Sequence, residues 1–269
     1  MRGAQPTTST SWLESDVFDN IYKHARWRVN ASREPNASEL HPSSGAGSMP
    51  MAARSACVVL AEAVRRIATS PVRILDAPCG DSTWMPACLT RIASEQNVKL
   101  VYQGGDIVAE LVHQLNAGHG RFLPGGVRPT AGPGVTVNTF VVLDATNVTA
   151  MAMLRGSFDV IVTRHVTIHL KSEAVLRIID GWNAVAPRYV LTDDYSMDHN
   201  GNWLDAGHPF PYRELNLREV SHVSASIQPH IQPHIQPHDQ PHDHKVSHGP
   251  RMPPHAIAKL MPGRSHQKA

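Results

Sequence analysis

Three carboxylates stand at the ends of short, β-branched runs: Asp76 in Ile74-Leu75-Asp76-Ala77-Pro78-Cys79-Gly80-Asp81, Asp106 in Tyr102-Gln103-Gly104-Gly105-Asp106-Ile107, and Asp144 in Val141-Val142-Leu143-Asp144-Ala145-Thr146. Ionised carboxylates accept strong hydrogen bonds from ammonium, hydroxyl and amino donors, about 1.5 to 3 kcal/mol each where water is kept away. Asp76 or Asp81 suits an ammonium group, Asp106 suits both hydroxyls of a ribose, and Asp144 with the Ala145 amide suits the edge of an adenine. Gly80 lets a ligand approach the backbone without meeting a Cβ. Each acid alone has a plainer reading: Asp81 and Asp106 as helix caps, Asp144 as a turn residue. Their joint occurrence after successive strands is what points to a nucleotide-like cofactor.

A second constellation is Thr163-Arg164-His165-Val166-Thr167-Ile168-His169-Leu170. His165 and His169 are four residues apart, so in a helical turn they would share a face. An imidazole near neutral pH serves as a general base, and Arg164 orients an anionic acceptor. The competing reading of His169, between Ile168 and Leu170, is a packed structural residue. Trp27, Trp84 and Trp203 offer aromatic faces to a cation or a base, although buried aromatics are more often core.

These residues need a scaffold that brings strand ends together. From Val72 onward β-branched runs alternate with helical stretches, the pattern of βαβ units and a parallel sheet covered on both faces. Strands are expected at Val72 to Asp76, Lys99 to Gly104, Thr136 to Leu143, Phe158 to Thr163 and Tyr189 to Thr192. Helices are expected at Asp16 to Trp27, Met51 to Ala68, Trp84 to Ser94, Val108 to Ala117 and Ser172 to Val185. Gly118 to Gly134, rich in Gly and Pro, reads as a long exposed loop. Ligands of such sheets bind at the carboxyl ends of the strands, where the acids lie.

The 269 residues, 41% hydrophobic, suffice for one α/β domain. The expected organisation is a disordered stretch 1–13, a domain with a helical arm over 14–222, and a disordered tail over 223–269. The tail repeats Ile-Gln-Pro-His from Ile227, and nine of the 17 histidines fall from His222 onward. Imidazoles on such a chain make a poor preorganised metal site, so no metal is assigned. A net charge of +2 gives no basic stripe for nucleic acid. No apolar run approaches the roughly eighteen residues of a membrane span, and Met1 to Ser11 lacks the apolar core of a signal peptide. Cys57, Cys79 and Cys88, odd in number, are expected as reduced thiols with no disulfide. A cytoplasmic protein is the expectation.

The run Ile74 to Asp81 continuing to Trp84-Met85, with Tyr102-x-Gly104-x-Asp106-Ile107-Val108, resembles a family of small class I methyltransferases of bacteria and some eukaryotes. The likeness extends to Phe18-x-x-Ile21-Tyr22 with Trp27, to Ser44-Gly45-Ala46-Gly47-Ser48, to Phe158-Asp159-x-Ile161-x-x-Arg164 with His169-Leu170, and to Tyr189-x-Leu191-Thr192. It covers about Asp16 to Leu217. The chain has His165 where that family pattern has an acid, lacks the Pro-Phe after Leu215-Asn216-Leu217, and carries the Gly118 to Gly134 loop and the tail as additions. The resemblance implies S-adenosyl-L-methionine as methyl donor and a Rossmann-like, mostly parallel sheet of about seven strands with helices on both faces. It implies no particular acceptor, which is an unidentified small molecule or macromolecule. The cofactor-binding candidates are Asp76, Pro78, Cys79, Gly80, Asp81, Trp84, Asp106, Ile107, Asp144, Ala145 and Arg164; the catalytic candidates are His165, His169 and Arg164. A non-catalytic binding protein on the same fold is the alternative. A nicotinamide-dependent oxidoreductase is disfavoured, because Pro78-Cys79-Gly80-Asp81-Ser82 lacks the Gly-x-Gly-x-x-Gly fingerprint.

Overall fold

Val72–Asp76 forms the central strand β1, which pairs in parallel with β2 (Leu100–Asp106) on one side and β5 (Val160–Thr163) on the other. The computed structural model describes residues 18–24, 43–45, 48–49, 52–123, 127–128, 130–194 and 257–262. Strand β3 (Val135–Val137) flanks β2, β4 (Val141–Val142) continues that edge, and β6 (Tyr189–Asp194) pairs in parallel with β5. The order is β3-β2-β1-β5-β6-β7, and β7 (Ile257–Pro262) alone runs antiparallel, against β6. That last strand lies in the stretch assigned by composition to the tail, where a single apolar hexapeptide carries too little periodicity to announce pairing with a strand some sixty residues earlier in the chain.

Alternation along the strands divides the apolar residues between two cores. Val72, Ile74, Val160, Val162 and Leu191 face helices α2 (Arg54–Arg65), α3 (Met85–Gln96) and α4 (Ala109–Ala117). Leu75, Ile161 and Val190 face α5 (Val148–Ala152) and α6 (Ser172–Val185). Buried positions on α2 recur as Ala56, Leu60, Ala63 and Val64, the spacing of one helical face. Each fully buried Leu or Ile contributes about 1.5 to 3 kcal/mol through removal from water. The expected helix α6 coincides with the observed one. Helix α5, capped by the Asn147 side chain accepting from the Ala150 amide at 3.1 Å, has too few residues to show a period and was not anticipated.

The expected strand Thr136 to Leu143 is broken between β3 and β4. Phe140 turns inward there because Gly104 leaves room for its ring: a Cβ on Gly104 would lie 2.4 Å from it. Asn116 holds the break, donating to the Phe140 carbonyl at 2.9 Å and accepting from its amide at 2.8 Å. The loop after α4 is not simply exposed, since Phe122 and Leu123 are buried and Gln114 accepts from the Phe122 amide at 2.8 Å. Of the expected N-terminal helix, α1 spans 18–23; Trp27, Trp203 and the histidine repeats lie outside the described residues. No helix among the described residues is long and apolar enough to cross a membrane.

The expectation of reduced thiols is overturned. Cys57 on α2 and Cys88 on α3 form a disulfide, with Cα atoms 5.7 Å apart, and Cys79 alone is a free thiol. The two lie on buried faces that meet only when both helices pack on the sheet, a proximity that a separation of 31 residues conceals. The cytoplasmic expectation loses the premise of reduced thiols. Alkylation of the denatured, unreduced protein should label only Cys79, and prior reduction should expose all three. Closing a loop of 31 residues should make the reduced protein less stable by about 3 to 4 kcal/mol in urea titrations, on the chain-entropy account.

Candidate functional site

The turn after β1 is held from three sides. Ala77 donates its amide to the Val162 carbonyl at 2.9 Å, and its own carbonyl accepts from the Thr163 hydroxyl at 2.8 Å. Thr163 in turn accepts from the Trp182 indole at 3.2 Å, so α6 fixes the turn through β5. On the other side the Cys79 amide donates to the Gly105 carbonyl at 2.9 Å. Gly80, at φ +54°, donates its amide to Asp106 Oδ2 at 3.0 Å. The turn therefore lies across the carboxyl ends of β1 and β2, the place where open parallel sheets hold ligands.

A cavity open to solvent lies over this turn. Of the candidate residues, Asp76, Pro78, Cys79, Gly80, Trp84, Asp106, Ile107, Arg164 and His165 line it. An adjoining hollow is lined by Asp144 and Ala145 and shares Phe18, Pro78, Ile107 and Val166 with the first. Two candidates stand apart. Asp81 is fully buried and lines neither cavity; its Oδ2 accepts from the Ser44 amide at 3.0 Å and its Oδ1 from the Thr83 amide and hydroxyl. His169 also lines neither, because the segment is not one helical turn: His165 has φ +53° and a 3-10 turn begins only at Thr167. The two imidazoles therefore do not share a helical face.

Phe18, Tyr22, Ser44, Ser48 and Val166 complete the main wall and were not singled out as site residues. The recognisable signal was there, since Phe18 and Tyr22 belong to one segment of the resemblance and Ser44 and Ser48 to another. Tyr102, which donates its phenol to Asp76 Oδ2 at 2.9 Å, was also missed, because the pairing of β1 with β2, which sets Tyr102 beside Ile74 and within reach of Asp76, is not written in either segment alone.

Burial dominates the electrostatics. Desolvation raises the Asp76 carboxyl to about 7, against the opposing effects of the Tyr102 hydrogen bond and the Arg164 charge. Asp106 is raised to about 6 by burial, against the amides of Val108 and Gly80 that hold it. The Asp81 carboxyl and the Cys79 thiol are also pushed up by burial. At the mouth the Arg164 guanidinium sits 5.2 Å from the centre of the Trp84 ring and 2.8 Å from His165 Nε2. Arginine has no acceptor, so Arg164 donates and Nε2 carries the lone pair. In the second cavity, Asp144 Oδ1 accepts from the Thr146 amide and hydroxyl at 2.8 and 2.7 Å, while Oδ2 is buried without a partner. Among the described residues no group of three or more His, Cys, Asp or Glu side chains is arranged to hold a metal ion.

The strand order with its antiparallel final strand defines the Rossmann-like fold of class I methyltransferases, mostly parallel and helix-covered on both faces. Solved structures of similar shape include magnesium protoporphyrin IX methyltransferase from Synechocystis with bound SAM (14% identity, 84% of this chain and 91% of that one, TM-score 0.45). A SAM-dependent methyltransferase from Anabaena variabilis (10%, 81% and 82%, TM-score 0.47) and a putative Zn-dependent alcohol dehydrogenase from Rhodobacter sphaeroides (13%, 81% and 63%, TM-score 0.37) are also similar. No protein-family model matches the sequence, and no curated protein matches it. These likenesses, at identities of 10 to 14%, concern shape and carry no argument about activity.

The raised carboxyls give the protein a pH-dependent stability of definite sign. The folded state binds more protons than the unfolded chain between the unfolded value of about 3.9 and the folded values, so these groups make stability fall as pH rises through that window. Urea midpoints measured at pH 5 and pH 7.5 should show a larger drop in the wild type than in the Asp76→Asn, Asp106→Asn double variant. Equal drops would mean that neither carboxyl is raised.

Proposed function

We propose that this chain is an S-adenosylmethionine-dependent methyltransferase acting on an acceptor not yet identified. The observation that carries the proposal is the convergence of desolvated Asp76 and Asp106 with the Gly80 backbone and Trp84 in one cavity, with the buried, partnerless Asp144 Oδ2 in the adjoining one. Buried acids raised by desolvation gain most from a ligand that brings positive charge and hydrogen-bond donors. When bound, the cofactor supplies a methyl group already activated on a sulfonium, so the protein has mainly to align an acceptor and exclude water.

The residues divide that task. Asp76 faces the cavity and would take the ammonium of the methionine portion; Asp81, committed to Ser44 and Thr83, would not. The Gly80 and Val108 amides aim the Asp106 carboxylate, which would accept from ribose hydroxyls. Asp144 Oδ2 would accept from the exocyclic amine of adenine, which removes its unmet demand for a donor. The Trp84 and Tyr22 rings line the same cavity, and Trp84 already carries the Arg164 cation over its ring.

For the acceptor, Arg164 and His165 are the groups at hand. While Arg164 donates to His165 Nε2, that nitrogen cannot take a proton from an acceptor. An anionic acceptor that draws the guanidinium away would free it, so that binding and base activation become one event. The same hydrogen bond supports the second reading, a protein that binds the cofactor without transferring its methyl group.

Isothermal titration with S-adenosylmethionine should give binding that releases protons near pH 6.5, as Asp76 and Asp106 ionise to meet the ligand. Asp106→Asn should weaken it at least about tenfold, the loss of one strong hydrogen bond. His165→Ala should keep binding and lose transfer of labelled methyl to any acceptor found by screening. Absence of binding to the wild type would overturn the proposal, and binding with no transfer to small molecules, sugars or proteins would favour the second reading.

A further inference from the structure

Asp81, offered by the sequence alongside Asp76 as an acceptor for an ammonium group, lines neither cavity. Its carboxylate is fully buried and spends both oxygens inside the protein, on Ser44 and Thr83. The Ser44 contact is reciprocal: the Ser44 amide donates to Asp81 Oδ2 at 3.0 Å, and the Asp81 amide donates to Ser44 Oγ at 2.7 Å. Two antiparallel hydrogen bonds between one pair of residues fix distance and orientation together, which a single bond does not. Ser44 Oγ then shares a hydrogen bond of 2.8 Å with the Tyr22 phenol. Tyr22 is itself buried and rests its ring against Phe122, with centroids 5.5 Å apart.

This chain of contacts joins segments distant in sequence. Residues 18–24, 43–45 and 48–49 precede the first strand and lie outside the sheet and its covering helices, yet Phe18, Tyr22, Ser44 and Ser48 line the main cavity. Their seat on the domain is the glycine turn. A Cβ on Gly80 would stand 2.4 Å from Ser44 Oγ and 3.4 Å from the Tyr22 hydroxyl, so the turn is bare on its outer side for the arm as well as for a ligand.

We infer that Asp81 and Ser44 form a two-point latch that seats the N-terminal arm as the outer wall of the ligand cavity. Asp81 is a positioning residue acting through Ser44 and Tyr22, and not an acid that touches the ligand. Release of a bound molecule past that wall requires both reciprocal bonds to break together. The inference shares with the proposed function only the premise that the cavity is a ligand site.

Hydrogen exchange read by mass spectrometry on the full chain without ligand tests the latch directly. In Ser44→Ala, amides of 18–24 and 43–45 should exchange about tenfold faster than in wild type, as expected for the loss of one or two hydrogen bonds. Peptides of β1 and α3 should keep their protection. Asp81→Asn should do the same, and Tyr22→Phe, which keeps the ring against Phe122, should have a smaller effect. In stopped-flow displacement, Ser44→Ala should release S-adenosylhomocysteine several-fold faster. Unchanged arm exchange in Ser44→Ala, protection lost equally across the domain, or unchanged release would each overturn the latch. If Asp81→Asn does not fold, Ser44→Ala decides. A wild type that binds no S-adenosylhomocysteine would remove the methyl-donor reading, and the exchange result would still judge the latch.

Discussion

The hydrogen bond from the Gly80 amide to Asp106 is the contact on which the site depends. It ties the turn after β1 to the end of β2, and it requires a backbone at φ +54°, which glycine adopts at little cost. With the turn held there, Asp76 and Asp106 face one cavity from neighbouring strands. The Val108 amide takes the other Asp106 oxygen, so the carboxylate is aimed before any ligand arrives.

The cost of that arrangement is electrostatic. Carboxyls sunk beside one another at the sheet edge lose hydration, and burial outweighs the hydrogen bonds that favour their ionised forms. Tyr102 answers Asp76 from the adjacent strand, and Thr83 and Ser44 answer Asp81. The protein thereby sorts chemically identical side chains into different tasks: Asp81 is saturated by the fold, whereas Asp76 and Asp106 remain turned to the cavity. Arg164, stacked on Trp84 and bonded to His165, brings positive charge to the rim of the same cavity.

The two sides of the sheet serve this site differently. The core under α6 reaches the turn through Trp182 and Thr163, a buried and rigid path. On the other side, the loop after α4 presents Phe122 to Tyr22 and so supports the N-terminal arm. The loop that reads as an exposed addition in the sequence thus packs behind the cavity wall through Phe122.

The sequence by itself determined the repeating βαβ scaffold, the central strand Val72–Asp76, helix α6, and the acids at the strand ends, because each is announced within a few residues by period, β-branching or a turn. Tertiary structure decided what those local signals do not contain. The Cys57–Cys88 bond depends on two helix faces meeting, and the break at Phe140 on the space beside Gly104. The return of Ile257–Pro262 to the sheet depends on a free edge at β6. The separation of Asp81 from Asp76 and of His169 from His165 depends on which neighbours the packed chain sets beside each. Residue type and spacing specify what a side chain is able to do; partners brought from elsewhere in the chain specify which of those things it does.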